Sequence, residues 1–182
     1  MAMIVQGSDG ITEEALPVAD LAACLRLMDG YDTVPGQMAR LRSRLRAAIT
    51  MVEGRTGHVL VARDLQLTGA AQGGFREIVP LSPLVAVTRA EVRQGLVSVD
   101  LGAATIEPHP HRPTIVFARA VQPGAILSVA VTAGYSAWEQ VPAPLREAVL
   151  AMAQGLDGAE NMTATTEALI APYRAMRIGG GV

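Results

Sequence analysis

Lysine is absent from this 182-residue chain, cysteine occurs once, and aromatic side chains make up only 3% of it. Each shortage excludes something. The single Cys24 allows no internal disulfide framework and no multi-cysteine zinc site, and it gives no support to an oxidising destination. With few rings, the core must be built from Ala, Val, Leu, Ile and Met, so helices can approach one another closely. No run reaches the roughly 18 to 20 uninterrupted apolar residues that a membrane helix needs. The opening MAMIVQGSDG also lacks the basic and hydrophobic regions of a signal peptide, so synthesis in the cytoplasm and no membrane partner are expected. A net charge of −2 argues against the broad basic field of a free nucleic-acid binder. All 15 basic charges are Arg, which a GC-rich coding genome accounts for, although the planar guanidinium also suits interfacial ion pairs.

What is present is apolar text with changing periodicity. Half of the residues are hydrophobic, enough for one substantial core, so a single domain over residues 1–170 and a flexible tail at 171–182 are expected. Periodicity predicts helices over residues 17–28, 35–55 and 142–157. In the first, Pro17 precedes Val18, Leu21, Leu25 and Met28 at helical spacing, and Asp29-Gly30 supplies a stop. In the second, Met38, Leu41, Leu45, Ala48, Ile49 and Val52 share one stripe, with Gly54 and Gly57 bracketing its end. In the third, Pro142 and Pro144 introduce Leu145, Val149, Met152 and Leu156 on one face, which leaves Leu150 pointing elsewhere, towards a neighbour. A last run, TATTEALIAPY, breaks at Pro172, and the end YRAMRIGGGV is not expected to order alone.

Residues 59–135 read as short strands punctuated by Gly and Pro: HVLVARDLQL, PLVAVTRAEV, GLVSVDL, PTIVFAR and AILSVAVTAGY. Runs of helix and runs of strand, rather than their alternation, give an α+β fold class. The helical N-terminal half and the C-terminal helices would flank a small, mostly antiparallel sheet, with an extended C-terminal tail.

Candidate chemistry is thin. His109 and His111 in HPHRP are close enough in sequence to share a metal, but two ligands do not make a site, and the prolines favour a solvated loop. Cys24 sits at the edge of an apolar face, where a thiol ordinarily behaves as a small packed hydrophobe. The glycines at Gly69, Gly73, Gly74 and 179–181 lack the strand-loop-helix context of a phosphate cradle. Neither a G-x-S-x-G elbow nor an H-E-x-x-H pair occurs, so no catalytic residue, cofactor or metal is expected, and the chain reads as non-enzymatic.

The most unusual local feature is Arg40, Arg42, Arg44 and Arg46. On a helix, Arg40 and Arg44 flank one side of the apolar stripe and Arg42 and Arg46 the other, with Glu53 able to neutralise part of the second pair. Either the aliphatic stems shield the core edges, or the flanks face neighbouring subunits or DNA. A closed ring needs two different complementary surfaces per subunit, and charge there fixes register.

Taken in order, PVADLAACLRL, the helix ending in VEGRTGHVL, PLSPLVAVTRAEV, VAVTAGYSAWEQVPAPLREAVLAMA and LIAPYR resemble the head-tail connector (adaptor) family of tailed phages and gene transfer agents, over residues 17–174. Glu53, Thr56 and Gly57, and Ala133-Gly134-Tyr135, look like fold-defining junctions of that family. The resemblance implies a ring subunit, usually in a dodecamer, at the particle neck of a bacterial virus or phage-like particle. Such a ring sits beneath the portal protein, contacts a tail-side neck protein, and continues the channel for DNA without reading its sequence. It also implies that Leu169, Ile170, Tyr173, Arg174, Met176 and Arg177 dock on the portal, while the helical pattern itself makes Arg40, Arg42, Arg44, Arg46 and Leu150 the candidates for subunit contacts or the channel. The small, polar stretch AQGLDGAENMTATTE departs from the bulkier residues of many relatives. A stopper or tail-terminator ring is the nearby alternative, and a small metal- or ligand-binding enzyme using His109, His111 and Cys24 the distant one.

Overall fold

The computed structural model describes residues 3–7, 10–94, 97–156 and 164–174. They fall into two compact units. One is helical, Ile11–Leu60 with Ser136–Val182, and the other is β-rich, Met1–Gly10 with Val61–Tyr135. The α+β class is as expected, with two antiparallel sheets where one was expected.

The helical unit contains α1 (Val18–Cys24), α2 (Gln37–Thr56), α3 (Ala143–Gly155) and α4 (Ala164–Ile170), with short 3-10 turns at Tyr31–Thr33, Trp138–Gln140 and Ala171–Tyr173. Leu21, Leu41, Leu45, Ile49, Val52, Leu145, Val149 and Met152 are buried, on the apolar stripes read from the sequence. Each such aliphatic side chain contributes about 1.5 to 3 kcal/mol by leaving water. The first helix is shorter than its periodicity suggests. Arg26 takes a left-handed φ of 53°, its N–H bonds to the Ala23 carbonyl at 3.0 Å, and the Leu27 N–H bonds to the Ala22 carbonyl at 3.1 Å. This capping geometry normally uses Gly, so the helix stops before the Asp29-Gly30 signal that the sequence pattern offers. Met28, counted on the apolar stripe, is 86% exposed.

The end of α2 is clamped by side chains. Gly57 turns left-handed at φ 73°. The Thr56 hydroxyl donates to the Val52 carbonyl and accepts from the His58 N–H, while Glu53 Oε1 accepts from the Leu60 N–H at 2.7 Å. The backbone N–H groups of His58 and Leu60, just beyond the helix end, are thereby satisfied. Glu53, Thr56 and Gly57 do form the junction expected of them. Elsewhere in the unit, Trp138 donates its indole N–H to Asp20 Oδ2 at 2.9 Å.

The β unit contains β1 (Ile4–Gly7), β2 (Arg63–Ala70), β3 (Gly74–Ile78), β4 (Leu84–Gln94), β5 (Val97–Asp100), β6 (Ala104–Glu107), β7 (Thr114–Val121) and β8 (Ile126–Ala133). A five-stranded sheet has the order β1-β2-β8-β4-β5, and a three-stranded sheet β3-β7-β6. Alternation sets the faces: Leu65 and Leu67 on β2 and Leu127, Val129, Val131 and Ala133 on β8 point inward. Register keeps them level, with Leu65 opposite Val131 and Leu67 opposite Val129. Irregularities between Leu84 and Ala86 and between Val87 and Arg89 shift β4, which then brings Ala90 and Val92 opposite Val129 and Leu127.

The chain enters this unit at Val61 and leaves it at Tyr135, and the two points meet. The Ala62 N–H donates to the Tyr135 carbonyl at 3.0 Å. Gly134 has φ 113°, and a Cβ there would lie 2.7 Å from the backbone of Val61 and Ala62. Only glycine fits. Replacing Gly134 by Ala should therefore destabilise the protein by about 3 kcal/mol or more, since both strain and overlap fall on backbone. A thermal melt checks this, and an unchanged midpoint would contradict the close approach.

Candidate assembly surfaces

The arginines of α2 do not act as four equal charges. Arg42 pairs with Glu13 at 2.8 Å and Arg46 reaches the same carboxylate at 3.8 Å, so that flank is neutralised from the segment before α1. Glu53, expected there, is occupied at the Leu60 amide instead. On the other flank Arg40 is exposed, whereas Arg44 is only 9% exposed. Burial first, and then the Arg40 charge, hold the Arg44 pKa below the ordinary guanidinium value, which leaves it cationic at neutral pH. Arg44 is thus part of the packed unit rather than a solvated shoulder. Leu150, expected to face a neighbour, is buried within the chain at 7% exposure.

The C-terminal candidates are also more ordered than expected. Ile170 is fully buried, and Leu169 and Tyr173 are half-buried. The Tyr173 ring meets the buried His58 edge to face, with centroids 5.5 Å apart. Glu167 joins two arginines, Arg55 at 3.0 Å and Arg174 at 2.7 Å. These ion pairs are partly exposed, so each contributes about 0.2 to 1 kcal/mol. Residues 164–174 therefore cap the helical unit, and the expected boundary of the tail at 171 moves past Arg174. Met176 and Arg177 lie outside the described residues.

The distant alternative finds no geometry. His109 Nδ1 accepts the N–H groups of His111 and Arg112 at 3.1 and 3.0 Å, so its lone pair is committed to holding the loop. Cys24 is exposed rather than packed. Partial desolvation, then Glu147, then Asp20 push its thiol pKa up, the reverse of what activates a nucleophile. Among the described residues no group of three or more His, Cys, Asp or Glu could hold a metal. No helix among them is long and apolar enough to cross a membrane.

No family model and no curated protein matches the chain. Solved structures do. A chain in the neck of an empty gene transfer agent particle, computed with C6 symmetry, superposes with a TM-score of 0.81 at 30% identity, covering 98% of this chain and 99% of that one. A chain in the virion of a native gene transfer agent particle gives the same values. One in the neck of the native particle, computed with C12 symmetry, gives a TM-score of 0.75 at 30% identity and the same coverage. The chain belongs to the neck-protein family of gene transfer agent particles.

Two groups in this neck protein escaped the sequence reading. Glu13 lies thirty residues from its arginine partners, beyond any helical spacing. Glu77, on β3, is almost fully buried, with Oε2 accepting the Gln72 N–H at 2.9 Å. Burial pushes its pKa above the ordinary 4.5, and the Gln72 bond opposes this more weakly. A single Glu in a strand with exposed neighbours gives no sign of such an environment.

A neck protein ending at Arg174 should melt like the full chain, whereas one ending at Ile170 should melt several degrees lower, because Tyr173 and Arg174 are removed. Equal melts for the two would contradict the cap. For Glu77, the folded pKa lies above the unfolded one, so the folded state keeps a proton that the unfolded state has released. Stability should fall as pH rises through the window above 4.5. Glu77→Gln should remove that decline in melts recorded from pH 4 to 8, and an undiminished slope would refute the assignment.

Proposed function

We propose that this neck protein is the head-tail connector, or adaptor, a non-enzymatic ring subunit beneath the portal that joins it to the tail and continues the DNA channel. The observation that carries the reading is the end-to-end similarity to neck chains, 98% of this chain at 30% identity, together with the five sequence blocks in connector order. The neck structures were computed with C6 and with C12 symmetry, and a dodecameric ring satisfies both. Ring contacts are head-to-tail, so each copy must present two unlike surfaces. Arg40 on the exposed side of α2 is the charge best placed to set register against a neighbour, and the channel would pass DNA without base contacts. The neck location and assembly from cytoplasmic subunits in a bacterial host belong to the same reading.

In this proposal the residues after Arg174, with Met176 and Arg177, dock on the portal, and the capped segment Leu169–Arg174 holds their root in place. Ordering a short segment against a partner costs entropy but spreads contact over a large surface. The full chain should therefore co-purify with portal protein, while a chain ending at Arg174 should not, and retained binding would overturn the docking role. Arg40→Glu should lower the melt by no more than a few degrees but lower the yield of DNA-delivering particles about tenfold, the effect of about 1.4 kcal/mol at an interface. Arg44 is unsuited to this test because a buried charge reversal would unfold the unit. Normal particle yield from Arg40→Glu would assign the flank to solvent.

A further inference from the structure

The edge strand β1 is held unlike any other strand of its sheet. Its four residues, Ile4–Gly7, are all exposed, with Ile4 at 61% and Val5 at 43%. It pairs only with β2, in antiparallel register from Ile4 opposite Thr68 to Gly7 opposite Leu65. The residues that follow, Ile11–Leu60, fold in the other unit, so the sequence returns to the sheet only at Val61. The strand thus contributes main-chain pairing and no buried side chain, the condition for opening at low cost.

The acceptor edge is shaped for the incoming strand. A Cβ on Gly69 would lie 2.9 Å from the Cα of Met3, so the glycine is a recess that the start of this strand fills. Without an added strand, the β2 edge would present open amide and carbonyl groups.

We propose that β1 is exchanged in the ring, with Met3–Gly7 of each copy completing the five-stranded sheet of the next. The inference rests on the ring reading above and specifies its contact. Exchange reproduces every hydrogen bond of the isolated chain in the same register, so it needs no new surface. The donor strand and the acceptor edge of β2 are unlike surfaces, as a head-to-tail ring requires. The occupant of the acceptor edge is a second copy of this chain.

The test uses the full chain with Cys24→Ser, Gln6→Cys and Gln66→Cys, assembled into particles. Gln6 and Gln66 are register partners, and directly opposed antiparallel residues lie about 4.5 to 5.5 Å apart at Cα, within disulfide range. After oxidation, particles should yield a ladder of covalent dimers and higher oligomers on a non-reducing gel. Disulfides confined to single chains in intact particles would overturn the exchange and leave the ring reading standing. Absence of the chain from particles whose neck is otherwise complete would overturn the ring reading itself. A second variant, Gly69→Val, fills the recess. It should keep the melt of the isolated chain within a few degrees while reducing incorporation into particles at least tenfold, and normal incorporation would overturn the proposal.

Discussion

The closure at Val61 and Tyr135 is the constraint on which the arrangement of the chain depends. The β unit is an excursion of some seventy residues between two halves of a helical unit, and such an insertion is compatible with a packed helical core only if its ends return to one place. Here β2 and β8 are hydrogen-bonded neighbours along their full length, so entry and exit are adjacent by construction. Gly134 removes the one side chain that would hold the two backbones apart. With that closure, α2 and α3 can share the core of Leu41, Leu45, Ile49, Leu145 and Val149 although ninety residues separate them in sequence.

Much of this was legible because it is periodic. The stripes of α2 and α3 and the alternation of β2 and β8 are direct consequences of 3.6- and 2-residue repeats. What was not legible depends on residues distant in sequence or on exceptional backbone. Arg26 caps α1 in a conformation ordinarily left to glycine. Glu13, not Glu53, neutralises Arg42 and Arg46, because the segment before α1 returns to α2. Tyr173 and Arg174 read as the start of a loose tail, but His58 and Glu167 anchor them. Division of the strands between two sheets also could not be read from local pattern, since pairing partners are set by topology.

The same features bear on assembly. The two flanks of α2 differ, with Glu13 paired to Arg42 and Arg46 on one and exposed Arg40 beside buried Arg44 on the other, and a cyclic neighbour contact likewise joins unlike surfaces. The cap at Leu169–Arg174 packs the last described residues against the helical unit through His58 and Glu167. The edge strand β1 offers a second kind of contact, made of backbone rather than charge.

The most direct measurement of the central claim is a reconstruction of the neck of the particle that carries this chain, calculated without imposed symmetry. The account predicts twelve copies in one ring directly beneath the portal, with the residues after Arg174 against it. A ring of this chain on the tail side of another neck protein, or a location away from the channel, would contradict it.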